Sequence, residues 1–437
     1  MSNSAPYLCF YGDDFTGSTD VLDALASVGI QTVLFLSPPD DLTLQRFYGA
    51  DAIGIAGMSR TMAPESMETD LPAIFRWMAA TGASILHYKV CSTFDSSPLI
   101  GSIGKAMDLA AAEFGTTLIP ILAGVPRLGR YCIFGNLFAR AGAGAEVFRL
   151  DRHPIMSRHP ITPMSEADLR RHLGRQTLIP VHSVSALEIE AGHLPSLGIT
   201  DRRGCEAVLF DTVSTEHLKT IGHWLHRCAA RADRPLFCVG SSAVEYALAE
   251  AWSRKGGPRA APSVSSRRDP DAPIVVVSGS CSAVTARQID FAAAHGFESI
   301  HLPVTALSST DGAQSARIAS VRAALAALER GLSPMIFTAR GEPDARFDTP
   351  SRLGDLLGEI LSELIDASGV RRVAVAGGDT SGFVAKSLRI QALEVASSVS
   401  PGAPLCRAYR DNAETLEIAL KGGQMGADDF FARVRAA

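Results

Sequence analysis

Short apolar runs alternate with helical patterns along the chain, and this alternation constrains the fold more than any other feature of the sequence. The clearest runs are 7–11 and 52–56 in the first half and 274–277 and 372–376 in the second half. Such runs predict buried strands, and helical patterns between successive strands are typical of parallel sheets. We therefore predict an α/β protein with largely parallel sheets that are flanked by helices.

The segment 253–273 interrupts the alternation. It reads SRKGGPRAAPSVSSRRDPDAP, a composition that offers no apolar face for burial. A chain of 437 residues also exceeds the length of one ordinary core. We predict a first domain over 1–252, a linker over 253–273 and a second domain over 274–437, each domain with its own sheet. A long surface loop inside one domain is the alternative.

The composition of the chain indicates which classes of binding partner are expected. Hydrophobic residues make up 46% of the chain and the formal net charge is −5, as in a globular protein with a large core. Nucleic acids and anionic membranes attract basic proteins, so neither partner is expected. The eight cysteines lack metal-ligand spacing, and no secretory signal or long apolar segment is evident. A cytoplasmic protein is therefore expected, and a homo-oligomer is compatible with the sequence.

The first strand-to-helix turn carries two adjacent acids, Asp13 and Asp14. Ligands of parallel sheets bind where strands end and helices begin, so these carboxylates are candidates for chemistry. Either one could accept the proton of an attacking hydroxyl, and either could instead cap the following helix. Arg60, which follows the predicted strand 52–56, is a candidate partner for a substrate carboxylate. An ordinary surface arginine is the alternative interpretation of Arg60.

A second polar cluster begins at Lys89 and combines a cation, hydroxyl groups and an acid. Lys89 would pair with a substrate carboxylate, whereas Ser92 and Thr93 would bind hydroxyl groups. Asp95 would accept a hydrogen bond or a proton. A solvated loop with a capping aspartate would explain much of the same pattern. The cluster predicts a site for a polyhydroxylated anion in the first domain.

The second domain contains strand ends made of small residues. Two of these turns carry the candidate phosphate-binding residues Ser278 and Ser280, and Gly377, Gly378, Asp379, Thr380 and Ser381. Backbone N–H groups and hydroxyls at such helix starts bind phosphate oxygens. Gly422 and Gly423, beside Lys421, form a further loop that could approach a base or a phosphate. Neither a P-loop nor a dinucleotide fingerprint is present, so a nucleotide site of another kind is indicated.

Six motifs in this order resemble those of the four-carbon acid sugar kinase family. They are 12–20, 89–104, 158–164, 278–280, 377–381 and 421–426. The resemblance implies a sugar-acid-binding first domain, a nucleotide-binding second domain, and phosphorylation of a terminal hydroxyl by ATP with Mg²⁺. Asp14 or Asp95 would then be the base, with Asp13 sharing substrate or metal binding.

Within the family, the segment 91–96 is similar to the 3-oxo-tetronate kinases. The resemblance thus implies conversion of 3-oxo-tetronate to 3-oxo-tetronate 4-phosphate. Val90, Ser102 and the turn 97–100 depart from the pattern. These departures leave 3-oxo-isoapionate, D-threonate and D-erythronate as alternative substrates.

Two functions of other classes use similar features. A non-catalytic protein that binds a sugar acid and a nucleotide would have the same glycine turns. A nicotinamide-dependent dehydrogenase is disfavoured because the dinucleotide glycine spacing is absent.

Overall fold

The computed structural model describes residues 5–141, 146–158, 162–196, 204–252, 269–341, 350–411 and 414–437. The chain forms two compact units, one of residues 1–33 and 37–261 and one of residues 34–36 and 262–437. Most of the predicted linker, 253–268, lies outside the described residues, as does 159–161 of the motif 158–164. The predicted domain boundaries therefore stay a prediction.

The elements between residues 5 and 252 follow the predicted alternation of strands and helices. The strands are β1 (Leu8–Gly12), β2 (Thr32–Phe35), β3 (Ala52–Ala56), β4 (Ile85–Lys89), β5 (Leu118–Leu122), β6 (Arg130–Ile133), β7 (Asn136–Arg140), β8 (Val147–Arg149), β9 (Val181–Val184), β10 (Glu206–Phe210) and β11 (Leu236–Gly240). The helices are α1 (Phe15–Ala26), α2 (Asp41–Gln45), α3 (Pro64–Ala80), α4 (Ile103–Phe114), α5 (Leu169–Leu173), α6 (Ala186–Glu190), α7 (Thr215–Arg231) and α8 (Ala243–Trp252).

The main sheet of the first unit is parallel, with neighbouring strands in the order β3-β1-β4-β11-β5-β10-β9. Every residue of β1, β3 and β4 is buried, which explains why these strands read as continuous apolar runs. Gly12 at the end of β1 lies in register with Ala56 and Lys89. The polar residues that follow β3, β1 and β4 therefore meet at one edge of the sheet.

A small antiparallel sheet, β6-β7-β8, belongs to the same unit and has no counterpart in the sequence-based prediction. Its strands are short and only partly buried. They consequently lack the apolar run by which the other strands are recognised.

The second unit repeats the alternation after residue 269. Its strands are β12 (Val275–Ser278), β13 (Phe297–His301), β14 (Ser333–Phe337), β15 (Arg372–Ala376), β16 (Ile390–Ser400), β17 (Ala403–Arg410) and β18 (Thr415–Lys421). Its helices are α9 (Ala283–Ala293), α10 (Thr310–Glu329), α11 (Pro350–Ser368), α12 (Gly378–Ser387) and α13 (Phe430–Ala436).

Strands of the second unit run in the order β13-β14-β12-β15-β18-β17-β16. The strand pairs β13–β14, β14–β12, β12–β15 and β15–β18 are parallel. The pairs β18–β17 and β17–β16 are antiparallel. Ala376 is in register with both Ser278 and Lys421, so β12, β15 and β18 end side by side. The predicted α/β class, with a largely parallel sheet in each unit, is confirmed.

No helix in the described part of the chain is long and apolar enough to cross a membrane. All eight cysteines are free thiols.

Candidate functional site

One guanidinium connects the ends of β1 and β3. Arg60 Nη2 donates to Asp13 Oδ1 at 2.9 Å and to Asp14 Oδ1 at 2.6 Å, and Arg60 Nε donates to Asp13 Oδ2 at 3.3 Å. The backbone N–H of Arg60 also donates to the carbonyl of Asp13 at 3.0 Å. Arg60 is thus an ion-paired residue of the site, with a side chain that is 22% exposed.

Asp14 caps helix α1, as the alternative interpretation of this turn predicted. Its Oδ1 accepts from the Gly17 N–H at 3.0 Å, and its Oδ2 accepts from the Thr16 hydroxyl at 2.8 Å. Burial raises the pKa of Asp14, but the charges of Arg60 and Lys89 and the hydrogen bonds from Thr16 and Gly17 together outweigh burial and hold the pKa below its ordinary value. Asp14 is therefore a fixed anion and a weak proton acceptor.

Asp13 has the opposite titration behaviour, although it contacts the same arginine. Burial raises the pKa of Asp13 to about 6, and the charge of Asp14 adds to the rise, while Arg60 opposes it. The two adjacent acids of this turn are therefore separated in pKa by their surroundings.

Lys89 ends β4 and brings a buried ammonium group to the same edge of the sheet. Its carbonyl accepts from the Asp13 N–H at 2.8 Å. A Cβ on Gly17 would lie 3.0 Å from Lys89 Nζ and 2.2 Å from Asp14 Oδ1. Glycine at position 17 therefore lets the ammonium approach the first turn of α1.

The loop after β4 is an ordered, buried turn, in contrast to the solvated loop of the alternative interpretation. Thr93 is buried and its hydroxyl lies 2.9 Å from Cys91 Sγ, whereas Ser92 is half-buried. Phe94 has a φ of +53°, an uncommon conformation for a bulky residue. Asp95 is 7% exposed, and its Oδ1 has no hydrogen-bond partner among the described residues. A buried acceptor without a partner is the group that a ligand hydroxyl would satisfy.

The three departures from the 3-oxo-tetronate kinase pattern have structural roles in this loop. Val90 packs in the apolar core. Ser102 caps α4 by accepting from the Lys105 N–H at 3.1 Å. In the turn 97–100, the Ser97 hydroxyl accepts from the Ile100 N–H at 3.0 Å. The three departures therefore lie at positions that support the loop in this chain.

In the second unit, glycines allow three strand ends to close around Ser280. The Gly377 N–H donates to the Lys421 carbonyl at 3.0 Å. Gly377 has a φ of +124°, and a Cβ there would lie 3.4 Å from Ser280 N. A Cβ on Gly423 would lie 2.8 Å from Ser280 Oγ. The Ser280 N–H itself donates to Ser278 Oγ at 3.4 Å.

Among the described residues, no side chain caps the start of the helix that follows β15. α12 begins at Gly378, and Ser381 is the residue whose N–H donates back to the Gly377 carbonyl, at 3.0 Å. The three residues before Ser381 in the helix are Gly378, Asp379 and Thr380. Their N–H groups point toward the start of the helix. Such groups, with the positive end of the helix dipole, suit a phosphate.

Two further polar residues of this region have no role that the sequence predicts. Thr285 Oγ1 accepts from Lys421 Nζ at 3.0 Å and donates to the Gly423 carbonyl at 3.0 Å. Thr285 lies inside helix α9, where no motif distinguishes it from a core threonine. From the sequence, Lys421 is only a neighbour of the glycine loop.

Comparison with known proteins supports the same division of roles. Residues 8–248 match the family model of a sugar-binding N-terminal domain, and residues 275–431 match that of a nucleotide-binding C-terminal domain. A solved Haemophilus influenzae structure of the DUF1537 family has the same fold, with a TM-score of 0.68, 22% identity, and 98% of this chain and 99% of that chain covered.

Two curated relatives are kinases. The 3-oxo-isoapionate kinase of Paraburkholderia graminis is 44% identical over 98% of this chain and 94% of its own length. The 3-oxo-tetronate kinase of Pseudomonas fluorescens is 31% identical over 99% of this chain and 97% of its own length. These matches confirm the resemblance carried by the six motifs and indicate ATP as the phosphoryl donor. The chain is a phosphotransferase that acts on a hydroxyl group of a sugar acid, and it belongs to the four-carbon acid sugar kinase family.

Proposed function

We propose that this kinase phosphorylates the terminal hydroxyl of 3-oxo-isoapionate, with 3-oxo-tetronate as the second candidate substrate. The observation that carries the proposal of a sugar-acid site is the edge formed by β3, β1 and β4, where buried acids lie beside Arg60 and Lys89. The higher identity to a 3-oxo-isoapionate kinase, 44% against 31%, favours the branched acid over 3-oxo-tetronate.

Lys89 and Arg60 are proposed to bind the substrate carboxylate. The Lys89 ammonium is buried, so it is poorly hydrated and interacts strongly with an anion. A guanidinium has five N–H donors, and Asp13 and Asp14 engage Nε and Nη2 of Arg60. The two N–H groups of Nη1 are the donors that Arg60 would offer to the substrate.

Asp95 is proposed to be the general base. Arg60 contacts both oxygens of Asp13, and the cap of α1 engages both oxygens of Asp14. Asp95 Oδ1 has no partner in the described part of the chain, so it is free to accept the proton of the attacking hydroxyl. Asp14 would then hold α1 and Arg60 in place.

The other substrate-binding roles stay as the sequence predicts them. Ser92 and Thr93 would bind substrate hydroxyl groups, and Asp13 would orient Arg60 and share substrate or metal binding.

The phosphates of ATP are proposed to bind Ser278, Ser280, the turn 377–381 and the loop of Gly422 and Gly423. The glycine contacts around Ser280 support this proposal, because a side chain at 377 or 423 would fill the space. Asp379 lies in the first turn of α12. A carboxylate there would repel phosphates unless a cation lay between them, so Asp379 fits as a ligand of the Mg²⁺ that accompanies ATP. Bound Mg²⁺ would neutralise phosphate charge.

A substrate panel tests the proposal. The purified protein is incubated with ATP, Mg²⁺ and each of 3-oxo-isoapionate, 3-oxo-tetronate, D-threonate and D-erythronate, and ADP release is followed by a coupled assay. We expect the highest kcat/KM with 3-oxo-isoapionate, at least about tenfold above 3-oxo-tetronate, the lower limit for recognition of one extra carbon group. The opposite ranking would make 3-oxo-tetronate the substrate. ADP binding without turnover of any acid would indicate a non-catalytic binding protein.

A further inference from the structure

Lys421 is buried in the second unit, and no acidic residue in the described part of the chain pairs with it. It ends β18, its side chain is fully buried, and its Nζ lies 5.9 Å from the ring centre of Phe430. The described residues form no salt bridge with it. A buried ammonium without an anion is unfavourable, so a lysine here requires a reason other than stability.

The surroundings of Lys421 favour its neutral form. Three uncharged residues lie beside the lysine. They are Thr285 on α9, Phe430 on α13 and Ala376 on β15. Burial lowers the pKa of Lys421 to about 7, and no neighbouring charge contributes to the shift. A nearby anion would reverse this shift and restore the ammonium.

Hydrogen bonds connect Lys421 to the phosphate-binding turn. Lys421 Nζ donates to Thr285 Oγ1 at 3.0 Å, and Thr285 Oγ1 lies 3.0 Å from Ser280 Oγ. Thr285 also donates to the Gly423 carbonyl at 3.0 Å. The lysine is therefore two hydrogen bonds away from Ser280 and from the Gly423 carbonyl.

We propose that Lys421 is a positioning residue of the nucleotide site, which acts through Thr285 on Ser280 and Gly423 and takes up a proton when a nucleoside polyphosphate binds. The inference rests on the proposed nucleotide site. Phosphate anions at Ser280 would supply a negative charge that none of the described residues places beside the lysine. The neutral amine would become an ammonium that in turn stabilises the phosphates.

The sign of the pH dependence follows from this linkage. The lysine loses its proton above about pH 7 in the empty site and keeps it to a higher pH in the occupied site. Nucleotide affinity should therefore decrease as the pH rises from about 7 to about 9, by at most about tenfold per pH unit.

Calorimetry of ADP binding with Mg²⁺ at about pH 8, in buffers that differ in ionisation enthalpy, measures the number of protons taken up. We expect the wild type to take up about one proton more than Lys421→Met, and the affinity of the variant for ADP to be lower by about tenfold and less dependent on pH. Protonation changes of ADP itself are common to both proteins and cancel in the comparison. Lys386→Met, which alters an exposed lysine on α12, should match the wild type.

A second variant keeps the test decisive if Lys421→Met fails to fold. Thr285→Val retains the lysine and removes the connecting hydroxyl, so ADP should bind more weakly and with less proton uptake than in the wild type. If the wild type and the folded variants take up equal numbers of protons and show the same pH dependence of ADP affinity, the proposed role of Lys421 is overturned. The nucleotide site itself would not be affected by that result. A wild type that does not bind ADP would overturn the nucleotide site and this inference together.

Discussion

At the scale of single residues, the sugar-acid site depends on how its acids share two cations. Asp13 and Asp14 contact the same guanidinium, yet the pKa of Asp13 is raised to about 6 and that of Asp14 is lowered. Asp14 owes its low pKa to the charges of Arg60 and Lys89 together with its hydrogen bonds in the cap of α1, which outweigh burial. Asp95 has a buried oxygen for which the described residues offer no hydrogen-bond partner. The residues of one motif therefore have different chemistry, which the sequence pattern alone could not assign.

Asp95→Asn tests the proposed base. The substitution keeps the size of the side chain and removes its proton affinity, so kcat should decrease by at least about 100-fold with little change in KM. Steady-state ADP release gives both constants. Asp14→Asn is the matched comparison, because asparagine also caps helices, so the bond from the Gly17 N–H can be kept while the charge and the Oδ2 acceptor are lost. A large decrease in kcat for Asp14→Asn together with near-normal kcat for Asp95→Asn would identify Asp14 as the base.

Lys421→Met should stabilise the protein while it weakens nucleotide binding. The folded-state pKa of about 7 is below the ordinary value of 10.5. The lysine therefore lowers the free energy of unfolding by its full amount below about pH 7 and not at all above about pH 10.5. At neutral pH methionine should raise the free energy of unfolding by up to about 3 kcal/mol, after allowance for the lost hydrogen bond. Thermal melts should show a higher Tm at pH 7 and a smaller gain as the pH rises. A lower Tm at every pH would contradict a destabilising lysine.

At the scale of elements, the sequence predicts strands that are buried on both faces. Strands β3 and β15 have the predicted bounds, and β1 and β12 differ by one residue at each end. The antiparallel pair β16 and β17 was not predicted as such, because its pairing has register shifts and joins segments with several half-buried polar residues. A pairing of this kind depends on the rest of the sheet rather than on local periodicity.

The residues of the candidate sites also differ in whether the sequence alone predicts them. Residues at strand ends were predictable, because parallel strands bring their carboxyl ends to one edge. The contact of Arg60 with Asp13 was not, because it requires β3 to lie beside β1. Thr285 was not predictable either, since its role depends on a hydrogen bond to Lys421, far away in sequence.

The glycine turns of the second unit can be tested by adding side chains. Gly423→Val would bring a Cβ to within 2.8 Å of Ser280 Oγ and 3.1 Å of Ser282 Cβ. Gly378→Val alters the first residue of α12. Both variants should weaken ADP binding and leave sugar-acid binding to the first unit largely intact, as measured by calorimetry with each ligand. Equal losses for both ligands would indicate misfolding, and unchanged ADP affinity would remove these loops from the nucleotide site.

At the scale of the whole molecule, each unit has its own set of parallel strands and its own candidate site. The sequence predicts the domain boundary in the segment 253–273, because the composition of this segment offers no apolar face for burial. Limited trypsin digestion should cut at the basic residues of this segment and release fragments near 1–252 and 274–437, identified by mass spectrometry. Cleavage inside the sheets at the same rate would argue against this boundary.

The identity of the reaction products tests the central claim most directly. The wild type is incubated with ATP, Mg²⁺ and 3-oxo-isoapionate, and the mixture is analysed by phosphorus NMR and mass spectrometry. We predict that ADP and a phosphorylated acid accumulate in equal amounts, and that the phosphate is attached to the terminal hydroxyl. If ADP and inorganic phosphate form without a phosphorylated acid, here and with 3-oxo-tetronate, the assignment as a kinase for 3-oxo sugar acids is contradicted.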